Sequence, residues 1–221
     1  MDKKSETIKH INEKTYQEFF SYLMKGSRLK CCEIVNNQLK ENIPVKQIYV
    51  QLFERALYEV GRLWEFNKIS VATEHMCTAI TESLMNFIYN KISMKDNCSK
   101  NVIISSVENE MHQVGGKMVA DIYEIHGWNS FFLGANTPLN ELIRFAREIV
   151  PDTIALSLSV YFHMEYLEKM IIKIREALPE TKIIVGGQGF CHGGRSIAEK
   201  YDMVKYISSL DELEQFIAGN L

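Results

Sequence analysis

The apolar pattern of this chain changes its period once, and that single change limits the folds open to it. From about Ser5 to Ile92 apolar residues recur every three or four positions, the spacing of amphipathic helices. A polar stretch between Ser93 and Lys100 follows, and beyond it short β-branched runs alternate with helical segments. The expected architecture is therefore an all-α domain over residues 1–94 joined to an α/β domain over residues 100–221.

The first half divides into four helices. Tyr16, Phe19, Phe20 and Leu23 form one stripe, Leu29, Cys32, Val35 and Leu39 a second, and Ile48, Leu52, Ala56, Val60 and Leu63 a third. Gly26 and Asn42-Ile43-Pro44 separate them. A fourth starts at Ser70, an N-cap residue with Thr73-Glu74 in the first turn, and runs through His75, Ala79, Phe87 and Ile88. Four helices with short links make a four-helix bundle. In the second half strands are expected at Val102 to Ser106, Ser130 to Leu133, Thr153 to Ser159, Lys182 to Val185 and Val204 to Ile207. Helices alternate with them, one with Thr137 as N-cap and Pro138 at its first helical position, others over Glu165 to Leu178 and Asp211 to Ala218. Such alternation gives a doubly wound parallel sheet of flavodoxin or Rossmann-like type.

Composition removes several function classes. Of 221 residues 46% are hydrophobic and 24% charged, which describes an ordered globular chain. A formal charge of -3 provides no basic footprint for nucleic acid. The five cysteines, Cys31, Cys32, Cys77, Cys98 and Cys191, lack CxxC spacing and read as reduced thiols. Met1-Asp2-Lys3-Lys4-Ser5-Glu6 has no apolar signal core and no run reaches the ~20 residues of a membrane span, so a cytoplasmic protein without membrane contact is expected.

Chemistry concentrates at one edge of the sheet. Glu110-Met111-His112-Gln113-Val114-Gly115-Gly116 lies between the first strand and the next helix, at the carboxyl end where open α/β sheets bind ligands. Glu110, two residues before His112, can orient its ring as a carboxylate orients a metal-bound imidazole, whereas a histidine in such a loop can equally be an ordinary hydrogen-bonded residue. Gly115 and Gly116 leave space for a bulky group. Ser157-Leu158-Ser159-Val160 and Gly186-Gly187-Gln188-Gly189-Phe190 end the third and fourth strands. Their hydroxyls and unhindered amides can meet a polar ligand, cradle a phosphate or close on a long tail, and the glycines alone are also explained by a tight strand-to-helix turn.

With these residues in place, the chain resembles the cobalamin (vitamin B12)-binding domains over nearly its whole length. Glu110 through Gly115 matches that family's acidic-x-His-x-x-Gly signature. The resemblance implies that His112 is the lower axial ligand of cobalt, that Glu110 orients it, and that Gln113, Val114, Gly115, Ser157, Ser159, Gly186, Gly187 and Phe190 line the site and its tail pocket. This chain has Glu110 where the family usually has Asp, and Ser159 where its Ser-x-Leu members have Leu. A second match, Trp64 followed after nine residues by Glu74-His75, resembles the motif of light-responsive, adenosylcobalamin-dependent regulators. It implies that Trp64 packs against a 5′-deoxyadenosyl group, that Glu74 helps bind it, and that His75 becomes a second cobalt ligand after light breaks the cobalt–carbon bond, with the bundle capping the upper face.

On this resemblance the chain is expected to be a non-catalytic adenosylcobalamin photoreceptor and signalling protein in transcription regulation, with methylcobalamin or hydroxocobalamin as other forms of the cofactor. No DNA-binding domain is expected, so output passes through a regulatory partner protein or a changed homo-oligomeric state. The alternative is the corrinoid methyl carrier of a methyltransferase system, which shares Glu110, His112 and the tail pocket and does not need Trp64 or Glu74-His75.

Overall fold

The computed structural model describes residues 10–92, 95 and 98–220. The backbone divides into two compact units, Met1–Ile92 and Ser93–Leu221. The start of the expected first helix and part of the expected linker lie outside the described residues.

In the first unit α1 spans Glu13–Met24, and it starts there because the Asn12 side chain accepts the Thr15 N–H at 2.9 Å. Tyr16, Phe19 and Leu23 are buried as the stripe requires. In α2, Arg28–Lys40, the buried face is Cys31, Val35 and Gln38, turned by one position from the expected stripe, and Leu29 is 79% exposed. The small Cys31 faces α1, with its thiol 3.9 Å from the Phe19 carbonyl, and the bulkier Leu29 lies off that contact in the first turn. The third rod is α3, Val45–Ile48, a π-helical turn at Tyr49–Glu54, and α4, Arg55–Glu65. It buries Ile48, Leu52, Ala56 and Val60 and stacks Tyr49 and Phe53 with ring centroids 5.7 Å apart. The fourth is α5, Val71–Tyr89, capped as expected by Ser70, whose hydroxyl accepts the Thr73 N–H at 3.2 Å.

The second unit is a five-stranded parallel sheet in the order β2-β1-β3-β4-β5. Its strands are β1, Asn101–Ser106, β2, Asn129–Phe132, β3, Thr153–Ser157, β4, Lys182–Gly186, and β5, Val204–Tyr206. Between them run α6, Val114–Ile125, α7, Leu139–Ile149, and α8, Met164–Ala177, with α9, Leu210–Ala218, closing the chain. Side chains alternate between two cores, as a strand's period of two dictates. Ile103, Ile154, Leu156, Ile183 and Val185 pack with Leu142, Leu167 and Met170, and Val102, Ile104, Ala155 and Ile184 pack with Ile122, Tyr123 and Ile217. This is the doubly wound arrangement, and the order reverses between β1 and β3, so their outgoing loops part and leave a crevice at their carboxyl ends.

One helix start differs from expectation. α7 begins at Leu139 with Pro138 outside it, and Thr137 donates its hydroxyl to the Leu133 carbonyl instead of capping. The cap comes from a distant residue, since Glu108 accepts the Leu139 N–H at 3.2 Å.

Candidate functional site

Strand register sets the level of the site. Ser106 of β1 is paired with Ser157 of β3, and Ser157 with Gly186 of β4, so three strands end side by side. The loop leaving β1 is drawn to its neighbours: Val107 N–H donates to the Ser157 carbonyl at 3.0 Å, and Asn136 N–H to the Glu110 carbonyl at 3.0 Å. Asn109 N–H donates to the Asn136 side chain, also at 3.0 Å. The Ser106 hydroxyl holds the His112 carbonyl at 2.9 Å.

At the centre is Glu110, fully buried. One carboxylate oxygen, Oε1, accepts the His112 N–H at 3.1 Å and lies 2.5 Å from His112 Nδ1. The other, Oε2, accepts the N–H groups of Ser159 at 3.0 Å and Val160 at 2.8 Å, with His163 Nδ1 at 3.3 Å. Burial pushes this carboxyl up; the hydrogen bonds from the His112 ring and from the Val160 and His112 N–H groups outweigh it and hold its pKa at about 2. A carboxylate so held only accepts, so Nδ1 of each histidine carries the proton. The His112 side chain is 58% exposed, and its Nε2 lies on the side of the ring away from Glu110. Met111 and Phe162 are exposed apolar residues of the same loops, at 69% and 88%.

The other expected site residues take varied places. Gln113 precedes α6 and Val114 is its first, nearly buried residue. Gly116 does not leave space for a ligand, because a Cβ there would stand 3.2 Å from the Phe132 ring and 3.6 Å from Ile104; its smallness lets α6 lie against the sheet. Gly115 is exposed, and its Cβ would stand 3.8 Å from the Ser157 hydroxyl. Ser159 donates its backbone N–H to Glu110. In the glycine loop two amides are bonded within the protein, Gly189 N–H donating to the Leu158 carbonyl and Phe190 N–H to the Gly187 carbonyl. Gly187, at φ 113°, passes so close to Leu158 that a Cβ would stand 2.3 Å from its carbonyl oxygen. Phe190 is fully buried, its ring centroid 4.8 Å from that of Tyr206.

In the helical unit Trp64 lies in the last turn of α4 and is 47% exposed. Glu74 Oε2 lies 2.5 Å from His75 Nδ1 and Glu74 Oε1 accepts the Thr78 hydroxyl at 2.9 Å, which leaves a His75 side chain 75% exposed. The carboxylate–imidazole pair of the β1 loop is thus repeated here on a helix.

Sequence reading missed Ser106, Asn136 and the Ser159–Val160 amides, and placed His163 near the ligand edge, where it could approach the tail pocket, without seeing that it meets Glu110. Ser106 ends β1 itself and holds the loop that follows it, whereas Asn136, Ser159, Val160 and His163 meet that loop only after the chain has folded back from another strand. Among the described residues no three or more His, Cys, Asp or Glu side chains are gathered so as to hold a metal ion. His112 alone offers a single nitrogen, which suits a metal that arrives with ligands of its own.

Comparison with known proteins agrees with this geometry. Residues 100–205 match the family described as B12 binding domain, and residues 15–89 match a second family of the same description. Trimethylamine corrinoid protein 1 of Methanosarcina acetivorans is 24% identical over 163 residues, 70% of this chain and 74% of that protein. The trimethylamine corrinoid protein of Methanosarcina barkeri is 24% identical over 162 residues, with the same coverage. Among solved structures, the Methanosarcina barkeri monomethylamine corrinoid protein superposes with a TM-score of 0.80 at 13% identity, over 96% of this chain and 100% of that one, which shows a shared fold.

Proposed function

The chain belongs to the B12-binding domain family, and on that premise we propose that it is the corrinoid carrier of a methyltransferase system. The observation that carries the reading is the buried Glu110 holding His112 by Nδ1, with Nε2 on the opposite side. Curated relatives over 70% of the chain are corrinoid proteins, which favours the carrier over the light-responsive regulator that Trp64, Glu74 and His75 suggested. Adenosylcobalamin, photoreception and transcription regulation gain no support from these relatives, and the proposed partner is a methyltransferase, not a regulatory protein.

The residues present fit a corrinoid. A lone imidazole nitrogen would suit a cobalt that arrives with ligands of its own, and the crevice between β1 and β3 opens beside it. When bound, the corrinoid supplies the metal centre that takes up and releases a methyl group. His112 would hold the cobalt through Nε2; Glu110 fixes the tautomer that leaves Nε2 unprotonated and raises the ring's basicity. Ser157, Gly115 and the loop from Gly186 to Phe190 would flank the tail. Met111 and Phe162 would shield the ligand from water. None of these residues needs to take a proton from a substrate, so the chain binds and orients and the partner enzyme performs catalysis.

The test is reconstitution with hydroxocobalamin, chemical reduction, and incubation with a methyl donor and its methyltransferase, followed by absorption spectroscopy. A histidine-ligated spectrum in the wild type that is lost in His112→Ala, with methyl exchange through the enzyme, is the expected result. Retention of the wild-type spectrum by His112→Ala overturns the ligand assignment. A stable change on green illumination of the adenosylcobalamin form that needs His75, without methyl exchange, returns the reading to the photoreceptor.

A further inference from the structure

Sulfur gathers in the helical unit where α1, α2 and α5 meet. The Cys77 thiol of α5 is fully buried and lies 3.7 Å from the Leu23 carbonyl and 3.9 Å from the Met24 sulfur, both in the last turn of α1. One turn earlier on α1, the Phe19 carbonyl meets the buried Cys31 thiol of α2 at 3.9 Å. A charge on Cys77 pushes the Cys31 thiol further up, so the two sulfurs are neighbours. Met76 adds a fourth, since its sulfur packs on Gly26, 2.7 Å from where a Cβ there would stand. Met24, Gly26 and Met76 are only half-buried, so thioethers form the approach from solvent and the thiols lie behind them. The thiols donate only weakly to their carbonyls, and the corrinoid reading uses none of these residues.

We infer that Cys77 and Met24, with Cys31 beside them, form a binding site for a soft monovalent metal ion, copper(I). Thiolate and thioether sulfur select copper(I) over harder divalent ions. The spacing fits: two metal–sulfur bonds of about 2.3 Å that span the 3.9 Å between the Cys77 and Met24 sulfurs enclose roughly 115°, close to the ~120° of a trigonal site. The charge fits as well. Copper(I) replaces the Cys77 proton, which leaves for solvent, and thiolate and cation form a neutral pair that can stay buried. Burial and the Glu74 charge push the Cys77 thiol up to about 11, against about 12 for Cys31, so Cys77 gives up its proton and Cys31 keeps its own as a third sulfur. A bound ion would tie α5 to α1 across 53 positions of sequence and stabilise the helical unit. The site is independent of His112 and of the corrinoid.

The test uses the full chain without corrinoid, reduced and kept free of oxygen, after iodoacetamide has blocked the exposed thiols. Copper(I) is offered against a chromogenic chelator that competes for it, and thermal melting is recorded with and without the metal. The wild type is expected to take copper(I) from the chelator and to melt higher with it. Its affinity should rise about tenfold per pH unit, because one proton leaves a thiol that is still protonated. Met24→Leu keeps the size, removes the thioether, and should weaken binding on the order of tenfold. Cys77→Ser should abolish it. Met24 is half-exposed, so its variant decides the question if the Ser variant does not fold. A wild type that leaves all copper(I) with the chelator overturns the inference, as does unchanged binding in Met24→Leu or an affinity that does not vary with pH.

Discussion

Replacing Glu110 by Gln probes the site most directly, because the change keeps the shape and removes the second acceptor. Glu110 is fully buried and accepts from the backbone N–H groups of His112, Ser159 and Val160 and from two imidazoles. An amide has one oxygen and one NH2, so one side of the pair now confronts donors with a donor. The less costly orientation turns the oxygen to Ser159 and Val160 and the NH2 to His112. There the imidazole can adapt by moving its proton from Nδ1 to Nε2, but the His112 backbone N–H cannot. One buried N–H without an acceptor costs about 1–3 kcal/mol. At about 2–4 °C per kcal/mol for chains of this size, the apo protein should melt roughly 2–12 °C lower. The tautomer change has a second consequence, since Nε2 is then protonated and cannot donate to a metal. Glu110→Asp distinguishes the two effects. It keeps the charge but is shorter by one carbon–carbon bond, about 1.5 Å, so it holds His112 or the Ser159–Val160 loop and not both. Calorimetry of the apo proteins and absorption of the hydroxocobalamin-loaded ones read both consequences. A Gln variant that melts with the wild type and keeps a histidine-ligated spectrum would refute the reasoning.

Three further perturbations test other parts of the fold. Burial pushes the Cys31 thiol up to about 12 and the Cys77 thiol up to about 11, so at pH 8 iodoacetamide should modify the exposed Cys191 and leave both until the chain unfolds; equal labelling in the native state would contradict their burial. Val150 caps α7 in the left-handed region at φ 50° with its side chain in solvent, so Val150→Gly should raise stability by about 0.5–1 kcal/mol, and a lower urea midpoint would show that the conformation carries no strain. Burial also raises the Glu54 carboxyl above its ordinary value, opposed by a hydrogen bond from Tyr58. The folded state therefore binds this proton more tightly than the unfolded state, and stability falls as pH rises from the unfolded value of 4.5 through the raised folded one. Glu54→Gln should melt higher than the wild type at pH 8, with the gain vanishing below pH ~4.5; a gain that persists at pH 4 would point to packing instead of charge.

Periodicity carries far in this chain because a helix and a strand each leave their own spacing in the apolar residues. The four rods of the first unit, all five strands of the second and the Ser70 cap were readable in that way. So was the pairing of Glu110 with His112, since two residues on one short loop meet whatever the rest of the chain does. Where a surface is shared, local pattern fails. The buried face of α2 follows Cys31, which meets α1, and not Leu29, and α7 is capped by Glu108 from the loop after β1. Gly116 looked like space for a ligand and proves to be where Phe132 presses in, and at Gly187 Leu158 lies as close. The larger omission was the other half of Glu110. Its second oxygen reaches Ser159, Val160 and His163, residues 49 to 53 positions away, brought close because β1 and β3 are paired in register as neighbours in the sheet. Composition and spacing record what adjacent residues do together; the company a buried carboxylate keeps depends on which strands become neighbours, and that is settled by packing over the whole unit.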